Sequence, residues 1–440
     1  MKSKVLTGLL ICSMAVLSSS CSKDKVPLEG ERIAVLQSKT VLTPDYAPGE
    51  VQIKLPKPKT NDEWSQKGGN SYHSMQHLMS SDKLKEKWSS SFGSGSSKRD
   101  FLIAEPVIAH NTVFAIDVNA VVSAFRIDNG KRLWKRKLKP LNSKDKDVAI
   151  KGAGIAVYGD RVYATTGFGG IFSIDVVNGK VVWKKYIGTP LRIAPTVGGG
   201  KIFVQTIDNM IMALDPKNGQ EIWKHKSDVE ATTFVGGANP TYSEELDVLL
   251  AAFNNGELRA FKASTGSPLW ADYLVARKRT NSLSNINSIK ANPVIDKDKV
   301  YALGNNSVLV AIDLRSGMRV WEREVGGTNQ PWLAGNYLYV LTNDNDLFAV
   351  DKTNGKIIWN TNIPVATNIE DKVGVFVSGP VLTDNRLIVA TSNGYAFSVS
   401  PYTGKILSFI TLGEDVVLPP IVGHDTVIFT SSDAELIAFR

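Results

Sequence analysis

Cysteine is nearly missing from these 440 residues: Cys12 and Cys21 are the only two, both close to the N-terminus. Beyond them the chain can hold no disulfide, no CxxC redox pair and no thiolate zinc site. Histidine is scarce too, with five in all, and neither GxSxG nor HExxH occurs, so hydrolase chemistry is poorly supplied. His73 and His77 lie four apart and could share a helix face around a metal. With no third ligand nearby in the sequence, they read as surface or packing residues. Thr166-Gly167-Phe168-Gly169-Gly170 hints at a phosphate loop, but it lacks the full GxGxxG spacing and leads into a strand, so it reads as a turn. Long apolar runs are also absent, apart from Val5 to Leu17, which has signal-peptide length and is too short to span a bilayer.

What the chain does have is a repeat. Ala311-Ile312-Asp313 leads through Gly317 to Trp321, and the same signature recurs. Ala124 leads to Gly130 and Trp134, Ser173 to Gly179 and Trp183, and Ala213 to Gly219 and Trp223. Ala260 leads to Gly266 and Trp270, and Ala349 to Gly355 and Trp359. A worn copy runs from Ser398 to Gly404, with Phe409 near the tryptophan place. Each copy reads as strand, tight turn, strand: alternating apolar residues make the strands, Asp or Asn opens the turn, and Gly takes a position that needs positive φ. The tryptophan is a large apolar plug, one per unit.

Spacing sets the architecture. The tryptophans at 134, 183, 223, 270, 321 and 359 are 49, 40, 47, 51 and 38 residues apart. Periods of roughly 40–50 residues with several short strands per unit mean propeller blades. Pro-apolar pairs with a short β run precede the signatures, as in Pro106-Val107, Pro195-Thr196, Pro293-Val294 and Pro380-Val381, which gives four strands per blade. No part of this region holds a helical period for long. Seven units end at Trp134 through Phe409. Pro420-Ile421-Val422, Thr426 to Phe429 and Glu435 to Phe439 supply three more strands, and the segment at Trp88 supplies the missing fourth. The expected fold is all-β: an eight-bladed β-propeller of four-stranded antiparallel blades, closed by pairing the N- and C-terminal strands, which leaves no long sheet edge.

The ends divide the chain into residues 1–20 as a leader, 21–60 as a polar tether and 61–440 as the propeller, with 61–88 a transition. Lys2 and Lys4 precede the apolar core, and Ser18-Ser19-Ser20-Cys21 resembles a bacterial lipoprotein cleavage site, where the thiol of Cys21 would be lipidated. Ordinary secretion with an incidental cysteine is the alternative. By resemblance to other lipoproteins, Ser22 after the cysteine favours outer-membrane sorting. The net charge of +8 falls to +6 once Lys2 and Lys4 are removed with the leader. Nucleic acid is not expected as a partner of an exported chain; basic loops facing acidic partners or anionic membrane remain open.

The signature is similar to the tryptophan-docking repeat of pyrroloquinoline-quinone dehydrogenases. A quinoprotein dehydrogenase, or a periplasmic propeller sensing a small ligand in its channel, is therefore an alternative reading. The adjacent cysteine pair of those enzymes is missing. Asp175, Asp215, Asp313 and Asp351 recur at one repeat position, as turn caps do, and no unrepeated group of carboxylates stands out. No enzyme activity, metal or cofactor is expected.

Segments outside the repeat carry a sharper resemblance. They are Pro27 to Ile33 (PLEGERI), Trp64 to Asn70 (WSQKGGN), Thr165 to Gly169 (TTGFG), Pro190 to Pro195 (PLRIAP), Asn255 to Leu258 (NGEL) and Gly326 to Trp332 (GGTNQPW). They resemble the BamB family of outer-membrane protein assembly lipoproteins, in the form found in alphaproteobacteria. The resemblance implies a non-enzymatic scaffold, anchored by lipid to the outer membrane and facing the periplasm. It would bind the periplasmic POTRA domains of BamA, beside the other subunits of the assembly complex, as a single copy. It also implies a contact surface made of a Leu/Arg loop and a nearby acidic loop. Pro190, Leu191 and Arg192 match the first, with the alternative that Leu191 packs between blades. The second falls at Asn285 to Lys290, where Asn285, Asn287 and Ser288 stand in a loop that carries Asp in family members, so a negative contact is lost.

Overall fold

The strands pair into eight four-stranded antiparallel sheets, set as the blades of a propeller. This is a computed structural model, and it describes residues 42–142, 144, 148, 151–229, 236–275, 288–305, 308–365 and 374–440. Cys21, Asn285 and Asn287 lie outside the described residues. Blade 1 holds Val107–Ala109, Thr112–Ile116, Val121–Arg126 and Arg132–Lys137, paired in that order from axis to rim. Blades 2 to 7 repeat the plan and end on the outermost strands Val181–Tyr186, Glu221–Lys226, Pro268–Tyr273, Arg319–Arg323, Ile357–Asn362 and Ile406–Thr411. Blade 8 takes Ile421–Gly423, Thr426–Thr430 and Glu435–Phe439 from one end of the chain and Glu86–Ser91 from the other. Trp88 stands opposite Ala438 and Ser90 opposite Leu436. The closure expected from the sequence is the closure found.

Burial follows from stacking. The inner three strands of each blade are covered on both faces by neighbouring blades, so they are nearly all apolar. The outermost strands alternate exposed and half-buried residues. Between blades the tryptophans form a repeated joint. The indole N–H groups of Trp88, Trp134, Trp183, Trp223, Trp270, Trp321 and Trp359 each donate to a main-chain carbonyl of the next blade, over 2.8–3.1 Å. The ring lies on the repeat's glycine. At Gly266 φ is +75°, and a Cβ would come within 2.5 Å of the Trp223 indole. Both the backbone and the contact therefore require glycine. The turn aspartates cap their own turns: Asp175, Asp215, Asp313 and Asp351 accept main-chain N–H bonds from Val177, Lys217, Arg315 and Thr353.

The worn copy has a physical cause. Phe409 is 60% exposed. The blade after it is blade 8, whose third and fourth strands come from opposite ends of the chain. No turn joins those two strands, so there is no glycine for a tryptophan to dock on.

Residues 61–78, read from sequence only as a transition, organise the axis. The first strand of each blade has an unpaired edge there, and this segment visits the edges in blade order. Asn61 donates to Val422 O of blade 8. Trp64 pairs with Ile108 of blade 1, and Ser65 O accepts from Val157 N of blade 2. Gln66 exchanges two bonds with Val197 of blade 3. Ser71 O and Tyr72 O accept from Tyr242 N of blade 4 and Ile295 N of blade 5. Gln76 O accepts from the Trp332 indole of blade 6, and Leu78 O from Asp384 N of blade 7. Trp64 also stacks on Trp332, centroids 6.1 Å apart. His73 and His77 are packing residues of this segment. His73 Nδ1 donates to Pro293 O at 2.9 Å, and His77 lies between the carbonyls of Pro56 and Asp384.

Residues 42–60, expected from composition to be tether, pack on the ring. Asp45 N–H bonds Ile357 O at 2.8 Å, its carboxylate pairs with Arg323, and Asn360 donates to Leu42 O. Ile53 is buried and Leu55 half-buried against the core. These few apolar anchors were hidden by the lysines and prolines around them.

Candidate docking face

Each blade's first strand runs from the face carrying the inter-blade loops to the face carrying its first turn. The axial segment meets the inner strands near their ends, on the turn side. The opposite, loop face carries the Leu/Arg segment. The loop after Val181–Tyr186 is fixed by main-chain bonds: Leu191 N–H to Thr166 O at 3.2 Å, and Ile207 N–H to Pro190 O at 3.1 Å. Thr165 Oγ1 donates to Ile193 O at 2.8 Å. The glycine-containing stretch 166–170 is the turn that receives it, with Gly170 N–H bonded to Thr166 Oγ1.

Pro190 is half-buried. Leu191 is fully buried among Ala156, Tyr163, Val197, Ile202 and Val204, between blades 2 and 3. An exposed apolar anchor is therefore ruled out at Leu191: the loop's own bonds turn the side chain inward, and the seam between blades takes it up. Arg192 is half-buried, and its Nε is buried with no hydrogen-bond partner among the described residues. It lines a cleft of about 120 Å³ together with Gln205, Thr206, Asn209, Asn254 and Ser288. The structure thus brings Arg192 and Ser288, one from each of the two loops singled out in the sequence, to one place, although Ser288 itself is only 3% exposed. Beside it, burial and then the charge of Lys67 lower the pKa of Lys290.

Gln205 was not foreseen. Its Nε2 donates to Ala252 O at 2.9 Å, while its Oε1 is buried without a partner among the described residues. A signal was present: at the end of the second strand Gln205 stands where the other blades have Ile116, Thr165, Ala252, Leu303, Leu341, Ala390 and Thr430. Asn209, at φ +59°, donates to Asn254 Oδ1 at 2.5 Å, tying the turns of blades 3 and 4. Among the described residues, buried polar atoms left without a partner at this face include Arg192 Nε and Gln205 Oε1.

Toward the axis, Lys67 Nζ lies 3.8 Å from Glu105 Oε1. Burial raises the Glu105 pKa, and Lys67 partly offsets it. Burial likewise holds His73 down at about 4, with the Pro293 hydrogen bond opposing and Lys67 adding to the fall. Among the described residues no group of three or more His, Cys, Asp or Glu is placed to hold a metal.

Comparison with known proteins adds the relatives. The model of the family described as outer membrane protein assembly factor BamB matches residues 118–361. The chain is 24% identical over 355 residues to the outer membrane protein assembly factor BamB of Moranella endobia, covering 80% of this chain and 89% of that one. It is 25% identical over 322 residues to the Escherichia coli protein of the same name, covering 73% and 79%. Among solved structures, BamB from Moraxella catarrhalis superposes with TM-score 0.67 at 17% identity, over 81% of this chain and all (100%) of that one. Quinohemoprotein alcohol dehydrogenase from Comamonas testosteroni superposes with TM-score 0.68 at 13% identity, over 86% and 80%. The structural likenesses establish the eight-bladed fold, and the family match separates the chain from the dehydrogenases that share it. The chain belongs to the family of the outer membrane protein assembly factor BamB.

Proposed function

We propose that the protein is a non-enzymatic scaffold of the outer-membrane β-barrel assembly complex, held to the membrane by a lipid on Cys21 and facing the periplasm. One copy docks its loop face on the POTRA domains of BamA, beside the other subunits, and assists insertion of outer-membrane proteins. The observation that carries this reading is the meeting of Arg192 and Ser288 at one cleft of the loop face. A guanidinium supplies forked donors to a carboxylate or to main-chain carbonyls of a partner. Leu191 positions it by locking the loop into the seam. Asn285 and Asn287, next to Ser288 in sequence, complete the proposed contact. The recurring aspartates support the absence of catalysis, since each is spent on its own turn at the rim.

Capture of the BamA periplasmic domain by purified variants tests the docking. Arg192→Glu is expected to weaken binding by about 2 kcal/mol or more, roughly 30-fold, with an unchanged melting temperature. Lys262→Glu, exposed on the turn side of blade 4, leaves binding unchanged. A well-folded Arg192→Glu protein that binds like the wild type would move the contact elsewhere on the ring. The anchor has its own test: mass spectrometry of the mature N-terminus is expected to show an acylated Cys21, and an unmodified Cys21 refutes it.

A further inference from the structure

The rim of the ring is unevenly charged. The outermost strands of blades 1 and 2, RLWKRK and VVWKKY, carry six cations, Arg132, Lys135, Arg136, Lys137, Lys184 and Lys185, and no acid. Every other charged outermost strand includes a carboxylate: Glu221 in blade 3, Asp272 in blade 4, Glu322 in blade 5 and Glu86 in blade 8. The two basic strands form one surface. Arg136 Nε donates to Gly179 O of blade 2 at 2.6 Å, and Asn142 Nδ2 to the Tyr186 hydroxyl at 3.4 Å. Among the described residues, Asp128 is paired with Arg126 and Asp160 with Arg161, each at 2.6 Å. Lys135, Lys137 and Lys184 are exposed and make no ion pair among the described residues. Exposed apolar groups stand between them: Leu133, Val181, Val182 and Tyr186.

We propose that this rim of blades 1 and 2 is a membrane-surface contact that takes the headgroups of anionic phospholipids. Charge complementarity calls for an anionic partner, and the composition favours a bilayer over a protein. The exposed cations are mostly lysines, compact point charges on flexible stems, rather than the forked arginines that fix carboxylates at a docked protein surface. Leucine, valine and tyrosine among the lysines suit the boundary between headgroups and acyl chains, where an apolar body and a wet tip are both accommodated. An assembly factor of the outer membrane works beside such a surface. The contact is independent of the cleft at Arg192, which lies on the loop face rather than the rim.

Vesicle flotation with residues 21–440 carrying Cys21→Ser, and so no lipid of its own, tests this. Vesicles containing phosphatidylglycerol are expected to carry the protein at low salt and release it at high salt, and vesicles of phosphatidylcholine alone are expected not to carry it. Each lysine near an anionic surface strengthens binding about fivefold, so Lys135→Gln/Lys137→Gln/Lys184→Gln should lower the affinity roughly 100-fold. Lys262→Gln/Lys297→Gln/Lys405→Gln removes the same charge elsewhere and should bind nearly as the wild type. Arg192→Glu should still bind vesicles, which keeps this result separate from that of the docking face. No binding to phosphatidylglycerol, or equal losses in the two triple variants, overturns the proposal. So does an acidic protein captured through these lysines by a chain that ignores vesicles.

Discussion

Two regions hold the ring together, by opposite means. The tryptophan joints are seven copies of one contact, each linking a blade to its neighbour and nothing else. The axial segment is a single copy that bonds to all eight blades. A repeated joint adds stability unit by unit, as in any array whose parts touch only their neighbours. It cannot by itself distinguish seven blades from eight. The axial segment meets the inner strands in blade order, so its length and sequence fit one blade number. The difference also falls on polarity. The joints rest on indole rings and glycines, whereas the axis holds buried polar groups such as Gln66, His73 and His77.

The most drastic way to break this comparison is to remove the axial part. A chain without residues 61–78 is expected to lose its cooperative urea transition, followed by circular dichroism, because eight strand edges lose their partners at once. Wild-type unfolding by this deletion chain would reduce the segment to decoration. A single joint should matter less. Trp223→Ala removes a buried ring and its bond to Ala263 O, at an expected cost of about 3–5 kcal/mol in urea titrations.

Acid should separate the two regions further. His73 is held at about 4 by burial, below its value in the unfolded chain, about 6.5. The unfolded state therefore binds the extra proton between pH 6.5 and 4. Stability is full above that window and falls as the pH drops through it, by roughly 3 kcal/mol at most. The physical reason is visible: Nδ1 already donates to Pro293 O, and a proton on Nε2 would be buried without an acceptor. His73→Gln should flatten this part of the stability–pH curve, while Trp223→Ala should shift the curve without changing its shape. The smallest effect belongs to the worn joint. Phe409→Ala, at 60% exposure, should cost under about 1 kcal/mol; a loss as large as that of Trp223→Ala would mean that Phe409 docks on blade 8 as the tryptophans dock on their neighbours.

Much of the ring was legible because it repeats. Strands such as Thr112–Ile116, Lys201–Gln205 and Lys299–Leu303 could be marked as short β runs following a Pro-apolar pair at the repeat spacing. The role of Trp88 as the last strand followed from counting. The candidate face was legible only as sequence positions. Arg192 and Ser288 are 96 residues apart, and nothing local says that their loops share a cleft. Leu191 shows the limit from the other side. A Pro-Leu-Arg loop has the same composition whether leucine points out or in, and the bonds from Leu191 N–H to Thr166 O and from Ile207 N–H to Pro190 O turn it in.

By itself the sequence determined the blade, the number of blades and the way the ring closes. Each blade's pattern is local: a strand period, a capped turn, a glycine and a ring to dock on it. It also carried the family in its inter-blade segments. Only the tertiary structure decided what residues 42–78 do, which side chains meet on the loop face, and where the rim gathers its positive charge. Those depend on closing the ring, which brings residues from distant blades to one axis, one face and one edge, and no local pattern encodes that distance.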